Sequence, residues 1–446
     1  MVKYMAGAHY KKKLRKKYIF RRIAAVVLLL AVIGGVIFAV QSCKKGDDKG
    51  GASSDMSSVD STPKEPYVVS SAVIGSSGDI MCHSTQLTHA KKSDGSYYFE
   101  DCFQYVKPYF ESYDLMIANL EVTFGGKEFG AFSGYPMFNT PDSMADAVKY
   151  SGIDTVLFAN NHTYDTGYAG MLRTMKVLKE KGIPFVGTRE NESDLFWQIK
   201  EVNGIKIGII NYTYSTTTSS GNKALNGNVM KTEAGPLVNT FTYGNLDAFY
   251  DDARAAVAAM EQAGADATFV YIHWGNEYQR TPNSYQTKMA QEICDMGYDV
   301  IVGSHPHVIQ PFAVLTGENG NETLCIYSTG NLISNQRANL MDSDNYSGHT
   351  EDGMIFSVKY DKYSDGKIVV SDVNIQPLWV DMNTATGKRI YRIVALDTSV
   401  DNWKNLGVVN LANAKKSYNR TMKLVGEPLN AYRAQKGWTE VALKAE

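Results

Sequence analysis

The chain is poor in cysteine, with 5 in 446 residues. That is too few to build a disulfide scaffold over this length. No internal repeat stands out. No Walker A sequence occurs anywhere, and residues 204–208 hold no phosphate-loop pattern, so nucleotide-driven ligation by this chain alone is not expected. Net charge is also missing: 45 Lys+Arg stand against 47 Asp+Glu, a formal −2. A hydrophobic share of 44% and a charged share of 21% exclude wholesale disorder and collagen-like or low-complexity classes. At roughly 150 residues per domain, the length points to two or three domains or to one large α/β domain.

The small net charge hides a segregation. Residues 1–22 carry nine Lys/Arg and no acid, whereas residues from Tyr67 onward carry 32 basic and 42 acidic side chains. Between them, 23–40 reads IAAVVLLLAVIGGVIFAV, 18 apolar residues without a charge. As a helix it spans roughly 27 Å, enough for a bilayer core. The basic block before it predicts a cytoplasmic N-terminus (1–22), a single transmembrane helix (23–40) and an extracytoplasmic remainder. Its apolar run is longer than the roughly 7–15 residues of a cleaved signal. A lipoprotein signal ending at Cys43 is the second reading, and Gln41 fits that motif poorly. Residues 41–66 are rich in Gly, Ser and Asp and read as a flexible linker.

From Tyr67 the pattern is one of short apolar runs alternating with amphipathic stretches. Strands are expected at 67–77, 115–122, 155–159, 183–187, 205–212, 268–274, 299–303 and 324–328. Helices are expected at 143–151, 170–181, 246–264 and 285–296. In the last, Met289, Ile293 and Met296 share one face. This alternation predicts an α/β layered domain over 67–352, with helices on both faces of a sheet. Residues 353–446 change texture, giving an antiparallel strand extension and then a polar helical segment from about 402.

Polar residues gather where those strands end. Ligands of open α/β sheets bind outside the carboxyl ends of strands. The first strand ends in Gly78-Asp79, the second carries Asn119-Leu120-Glu121, and the third ends in Asn161-His162. Later strands end in His273-Trp274-Gly275-Asn276-Glu277 and in Gly303-Ser304-His305-Pro306-His307. Each residue alone has an ordinary explanation as a turn, a cap or a satisfied core histidine. Together, Asp79, Glu121, Asn161, His273, His305 and His307 supply the oxygen and nitrogen ligands suited to Mn, Fe or Zn, with one or two ions held.

The ordered motifs GDIM (78–81), NLE (119–121), NNHTYDTG (160–167), HWGNEY (273–278), GSHPHVIQ (303–310) and YSTGNLI (327–333) resemble the CapA family of capsule and poly-γ-glutamate biosynthesis. The resemblance covers about 70–335, and the N-terminal anchor also looks like that of membrane-bound CapA proteins. It implies a domain similar to the calcineurin-like metallophosphoesterases. Asp79 then looks like their first-strand Asp, Glu121 like a bridging carboxylate, and Asn161-His162 like their Asn-His pair. His273, His305 and His307 resemble the remaining ligands. Those enzymes usually carry His two residues after the Asp; here the position is Met81, and His83 is the nearest substitute. The implied chemistry is metal-assisted hydrolysis, with His162 protonating the leaving group or stabilising the developing negative charge, and Asp165 either orienting it or capping the next helix. Glu277 reads as a neighbour of His273 or a surface ion-pair partner, and Trp274 as a packing residue.

Met81 gives a competing expectation: a non-catalytic accessory subunit of a polymer synthesis and export complex. A general surface phosphoesterase is the third. Expected partners are the membrane, a polyglutamate polymer and membrane synthase or export subunits. Nucleic acid is not among them, because it calls for a basic face. The 28 Tyr suit the partly wet surface of an external protein or a polymer or sugar groove. The four cysteines beyond Cys43 allow three pairings, which spacing does not separate; Cys82 reads as a buried structural thiol.

Overall fold

A computed structural model of the chain describes residues 65–340, 347–385, 387 and 389–445. The expected tail, transmembrane helix, Cys43 and all but the end of the linker lie outside these residues. Among the described residues no helix is long and apolar enough to cross a membrane. Glu65–Glu446 forms one compact unit.

The strands in chain order are β1 (Val68–Ile80), β2 (Leu115–Leu120), β3 (Thr155–Leu157), β4 (Phe185–Val186), β5 (Gln198–Val202), β6 (Ile205–Tyr214), β7 (Thr216–Thr217), β8 (Lys223–Leu225) and β9 (Asn228–Val229). They continue as β10 (Thr240–Phe241), β11 (Ala267–His273), β12 (Val300–Ser304), β13 (Ile309–Thr316), β14 (Glu322–Thr329), β15 (Asn331–Ile333), β16 (Asp352–Tyr363), β17 (Ile368–Asn383) and β18 (Ile390–Ala395). One sheet runs β18-β17-β16-β1-β2-β3-β4, with β15 also against β1. A second runs β10-β6-β11-β12-β14-β13, with β5 also against β6, and β7-β8-β9 form a small third sheet.

Strand alternation sorts the core into layers. In β2, Leu115 and Ile117 join one apolar cluster with Phe269 and Tyr271 of β11, so the two large sheets pack face to face. Met116 and Ala118 point the other way, against Met144 and Val148 of the helix Ser143–Tyr150 and Met171 and Met175 of Gly167–Glu180. Val270 and Ile272 of β11 likewise turn outward onto Phe249 and Val257 of Leu246–Gln262 and Ile293 of Ser284–Asp295. The order is helices, sheet, sheet, helices. Sheets flanked by helices are thus present, as the family resemblance implied, whereas the alternation alone suggested helices on both faces of a sheet: each sheet gives its second face to the other.

The segment after Gly353 belongs to the same architecture. β16 pairs antiparallel with β1 along nearly its whole length, and β17 and β18 extend that sheet. The C-terminal helices, expected to be polar, bury Trp403, Tyr418, Leu429 and Tyr432 in the cluster between the sheets.

Candidate metal centre

The parallel pairings of β2 with β1 and β3, and of β11 with β6 and β12, bring the carboxyl ends of strands from both sheets together. Asp79 lies in the last turn of pleat of β1, opposite Asn119 of β2. Glu121 follows β2 directly, and because strand side chains alternate, Asn119 and Glu121 face the same side. Asn161 and His162 sit in the loop after β3, His273 is the last residue of β11, and His305 and His307 follow β12.

Two glycines make the approach possible. A Cβ on Gly78 would lie 1.7 Å from the Gly330 carbonyl oxygen, and one on Gly303 would lie 1.9 Å from that of Tyr327. Any side chain there would drive the strands apart just before Asp79 and Ser304-His305. Beyond β12 the backbone turns sharply, with φ of 93° at His305 and 56° at His307. These left-handed conformations cost a non-glycine residue roughly 1–3 kcal/mol each and persist where surrounding structure imposes them.

Two ligand sets meet at one carboxylate. Glu121, His273 and His305 offer ligand atoms within 4.8 Å of one another, and so do Asp79, Glu121 and His307. A third set adds Glu277 to His305 and His307. The His307 Nδ1 is 2.9 Å from Asp79 Oδ2. The Asn119 amide donates to Asp79 at 2.8 Å and to Glu121 Oε2 at 3.2 Å. His273 has Ser304 Oγ at 2.9 Å on Nδ1 and Asn161 Oδ1 at 2.8 Å on Nε2.

Two polar atoms in this cluster are buried without a hydrogen-bond partner among the described residues: Glu121 Oε1 and His305 Nδ1. Glu121 Oε1 lies 3.5 Å from His273 Nε2 and 3.7 Å from His307 Nε2, too far for good hydrogen bonds. Orphaned buried atoms are costly unless something binds them. Burial, then the Asp79 carboxylate, pushes Glu121 well above the usual carboxylate range. Burial first, then neighbouring imidazoles, holds His273 and His305 well below the usual histidine value. Neutral imidazoles are what ligation requires, and a divalent cation would supply the positive charge that Glu121 lacks. The residues fit a divalent cation.

His162 stands beside this cluster. Its Nδ1 is 2.7 Å from Asp165 Oδ2, and the same oxygen accepts from the Phe138 amide at 2.7 Å. Asp165 therefore orients His162, while the next helix has Thr166 at its N-cap with no side-chain cap. Asn226, at the tip between β8 and β9, donates to Asp165 Oδ1 at 3.1 Å. The Phe138 ring meets His162 edge-on at 4.7 Å.

All eight expected site residues gather at one end of the sheets. Met81 is buried in the apolar layer between the first sheet and its helices. His83 does not replace it: it stands outside the three ligand sets, its Nδ1 accepting from the Asn335 amide at 3.2 Å. Glu277 groups with His305 and His307 rather than with His273. Trp274 packs, its indole donating to the Tyr327 carbonyl at 3.0 Å. Sequence reasoning passed over Asn119, Ser304 and Asn226. The period-two spacing of Asn119 and Glu121 could have flagged the first. Nothing local marks Asn226, 61 residues from Asp165.

A two-sheet α/β protein with clustered His, Asp and Glu suited to divalent cations defines the class. The chain belongs to the family described as bacterial capsule synthesis protein PGA_cap, whose profile matches residues 73–336. It is 27% identical over 266 residues to capsule biosynthesis protein CapA of Bacillus anthracis, covering 58% of this chain and 59% of that protein. It is 28% identical over 338 residues to PGA biosynthesis protein CapA of Bacillus subtilis (strain 168), covering 73% of this chain and 78% of that protein. A distant structural likeness, with a TM-score of 0.31 and 9% identity, links it to purple acid phosphatase PPD1 from yellow lupin seeds, over 69% of this chain and 53% of that one.

Proposed function

We propose that this chain is a membrane-anchored, extracytoplasmic protein of capsule or poly-γ-glutamate biosynthesis or export, and that its centre is a metal-dependent hydrolase of the metallophosphoesterase type. Family membership supports the pathway. The basic block and apolar run before residue 41 support the placement. One observation carries the chemistry: two ligand sets interlock at Glu121, whose free oxygen is buried and unpartnered.

Asp79, Glu121, His273, His305 and His307 would hold Mn, Fe or Zn, with Asn161 and Glu277 at the margin. The bound cations supply a water of lowered pKa and charge neutralisation at the ester oxygens. The chain itself orients and protects. Asn119 fixes both carboxylates from behind, and Ser304 fixes the His273 ring. Asp165 anchors Nδ1 of His162, leaving Nε2 to give a proton to the leaving oxygen. Membrane synthase or export subunits and the polymer itself are the proposed partners.

The test is elemental analysis beside assays on phosphomonoesters, phosphodiesters and γ-glutamyl amides with Mn²⁺ added. Tightly held transition metal is expected, strongly reduced by His305→Ala with His307→Ala, and turnover is expected to vanish in Asp79→Ala. Equal, low metal in both proteins would sink the site. Metal without turnover on any substrate would leave the accessory role, which the missing ligand at Met81 favours.

A further inference from the structure

On the second sheet's side of the metal centre lies a cavity of about 710 Å³, with His305 and Glu277 among its lining residues. Its character differs from what an anionic polymer needs. Among the described residues no Lys or Arg lines it, and Glu277 is the one carboxylate. Hydroxyl and amide groups supply much of the rest, among them Thr216, Thr242, Asn245 and Asn276.

Tyrosines lead outward from it. The Tyr214 ring lies 4.9 Å from His305. Tyr214 and Tyr243 are stacked at 6.3 Å with 26° between their planes. Tyr243 meets Tyr285 at 4.8 Å, and Tyr285 is 48% exposed. The Gly275 amide donates to the Tyr243 hydroxyl at 2.8 Å, which fixes that ring. An aromatic path thus runs from the ligand cluster to the surface.

We infer that this cavity is a subsite for an uncharged carbohydrate unit, held next to the group on which the metal centre acts. The inference narrows the proposed function to a glycan-bearing substrate and rests on that reading only for what happens at the inner end. Sugar rings present C–H faces to aromatic rings and hydroxyls to Thr and Asn side chains, and the cavity offers both. Away from the ligand cluster, a phosphate or carboxylate placed here would meet hydroxyl and amide groups but no Lys or Arg among the described lining residues. A γ-glutamyl chain carries a carboxylate on every residue, and the outer part of this cavity offers those repeats no basic partner among the described residues. A flat base cannot slide between Tyr214 and Tyr243, because two van der Waals gaps need about 7 Å. The stacked pair leaves no slot between its rings.

Ligand-observed NMR and calorimetry on the full-length, chelator-treated protein would test this without turnover. The probes are neutral gluco-, galacto- and N-acetylglucosamine trisaccharides, a γ-glutamyl trimer and adenosine. At least one trisaccharide is expected to bind saturably, and Tyr243→Ala is expected to weaken it at least about tenfold. Tyr285→Ala should weaken it less, and serves as the check if Tyr243→Ala does not fold. Three results would overturn the inference: no saturable trisaccharide binding, binding indifferent to both variants, or tighter binding of the γ-glutamyl trimer or adenosine. Metal content of the untreated protein, measured in parallel, shows separately whether the metal-centre reading stands.

Discussion

At the scale of single residues, the centre is built against local preference. His305 and His307 have left-handed backbones that only glycine adopts without cost. With the imidazole removed, His307→Gly should therefore be more stable than His307→Ala by about 1 kcal/mol in metal-free denaturant titrations. Equal stability would show that the turn relaxes once the ring is gone. His83 carries a pH signature. Burial, more than the opposing Gln86 contact, lowers it from the usual histidine value to about 4. Its folded value is depressed, so the native state binds fewer protons than the unfolded chain between these limits. Stability is full above about pH 6.5 and falls as pH drops towards 4, by on the order of 2–3 kcal/mol at most from this group. Protonation would also break the bond its Nδ1 accepts from Asn335. Metal-free His83→Gln should show a flatter stability profile between pH 6.5 and 4. An unchanged slope would assign the loss to other histidines.

At the scale of elements, strands deliver ligands and a small insertion finishes the site. The carboxyl ends of β1, β2, β11 and β12 were legible because strand ends are punctuated by Gly, Asn and His, and alternation fixes which residues share a face. The β7-β8-β9 sheet was not legible: its strands have two or three residues each, too short for any period to show. Yet its tip residue Asn226 bonds Asp165 and the Pro136 carbonyl, tying the insertion to the His162 pair. Asn226→Ala should leave metal content unchanged while lowering turnover roughly 10–100-fold, the usual effect of removing an outer partner of a catalytic group. Loss of metal together with activity would make Asn226 part of the scaffold of the centre instead.

At the scale of the whole molecule, the C-terminal helices belong to the core. The helices close the cluster between the sheets with Trp403, Tyr418, Leu429 and Tyr432. Deleting residues 402–445 would expose that apolar surface, and the truncated protein should lose its cooperative thermal transition. A retained sharp transition would mean the helices are dispensable. The proposed anchor predicts the reverse for the other end: deletion of residues 1–40 should move the protein to the soluble fraction with unfolding unchanged. A protein still in the membrane fraction would place its attachment elsewhere.

The sequence by itself determined which residues could act. Apolar periodicity located most long strands and helices, and metal-ligand residue types at strand ends named Asp79, Glu121, His273, His305 and His307 before any of them were seen together. Local order is enough for this, because alternation and turn chemistry are short-range. Tertiary structure decided the rest. Two sheets share one core where a single sheet was expected, because apolar residues on both faces of a strand do not say whether a helix or another sheet covers them. The pairing of β16 with β1 joined the last quarter of the chain to the first strand. The meeting of Glu121 with histidines from the other sheet, and of Asn226 with Asp165, arises from contacts between distant segments, and no local pattern encodes those.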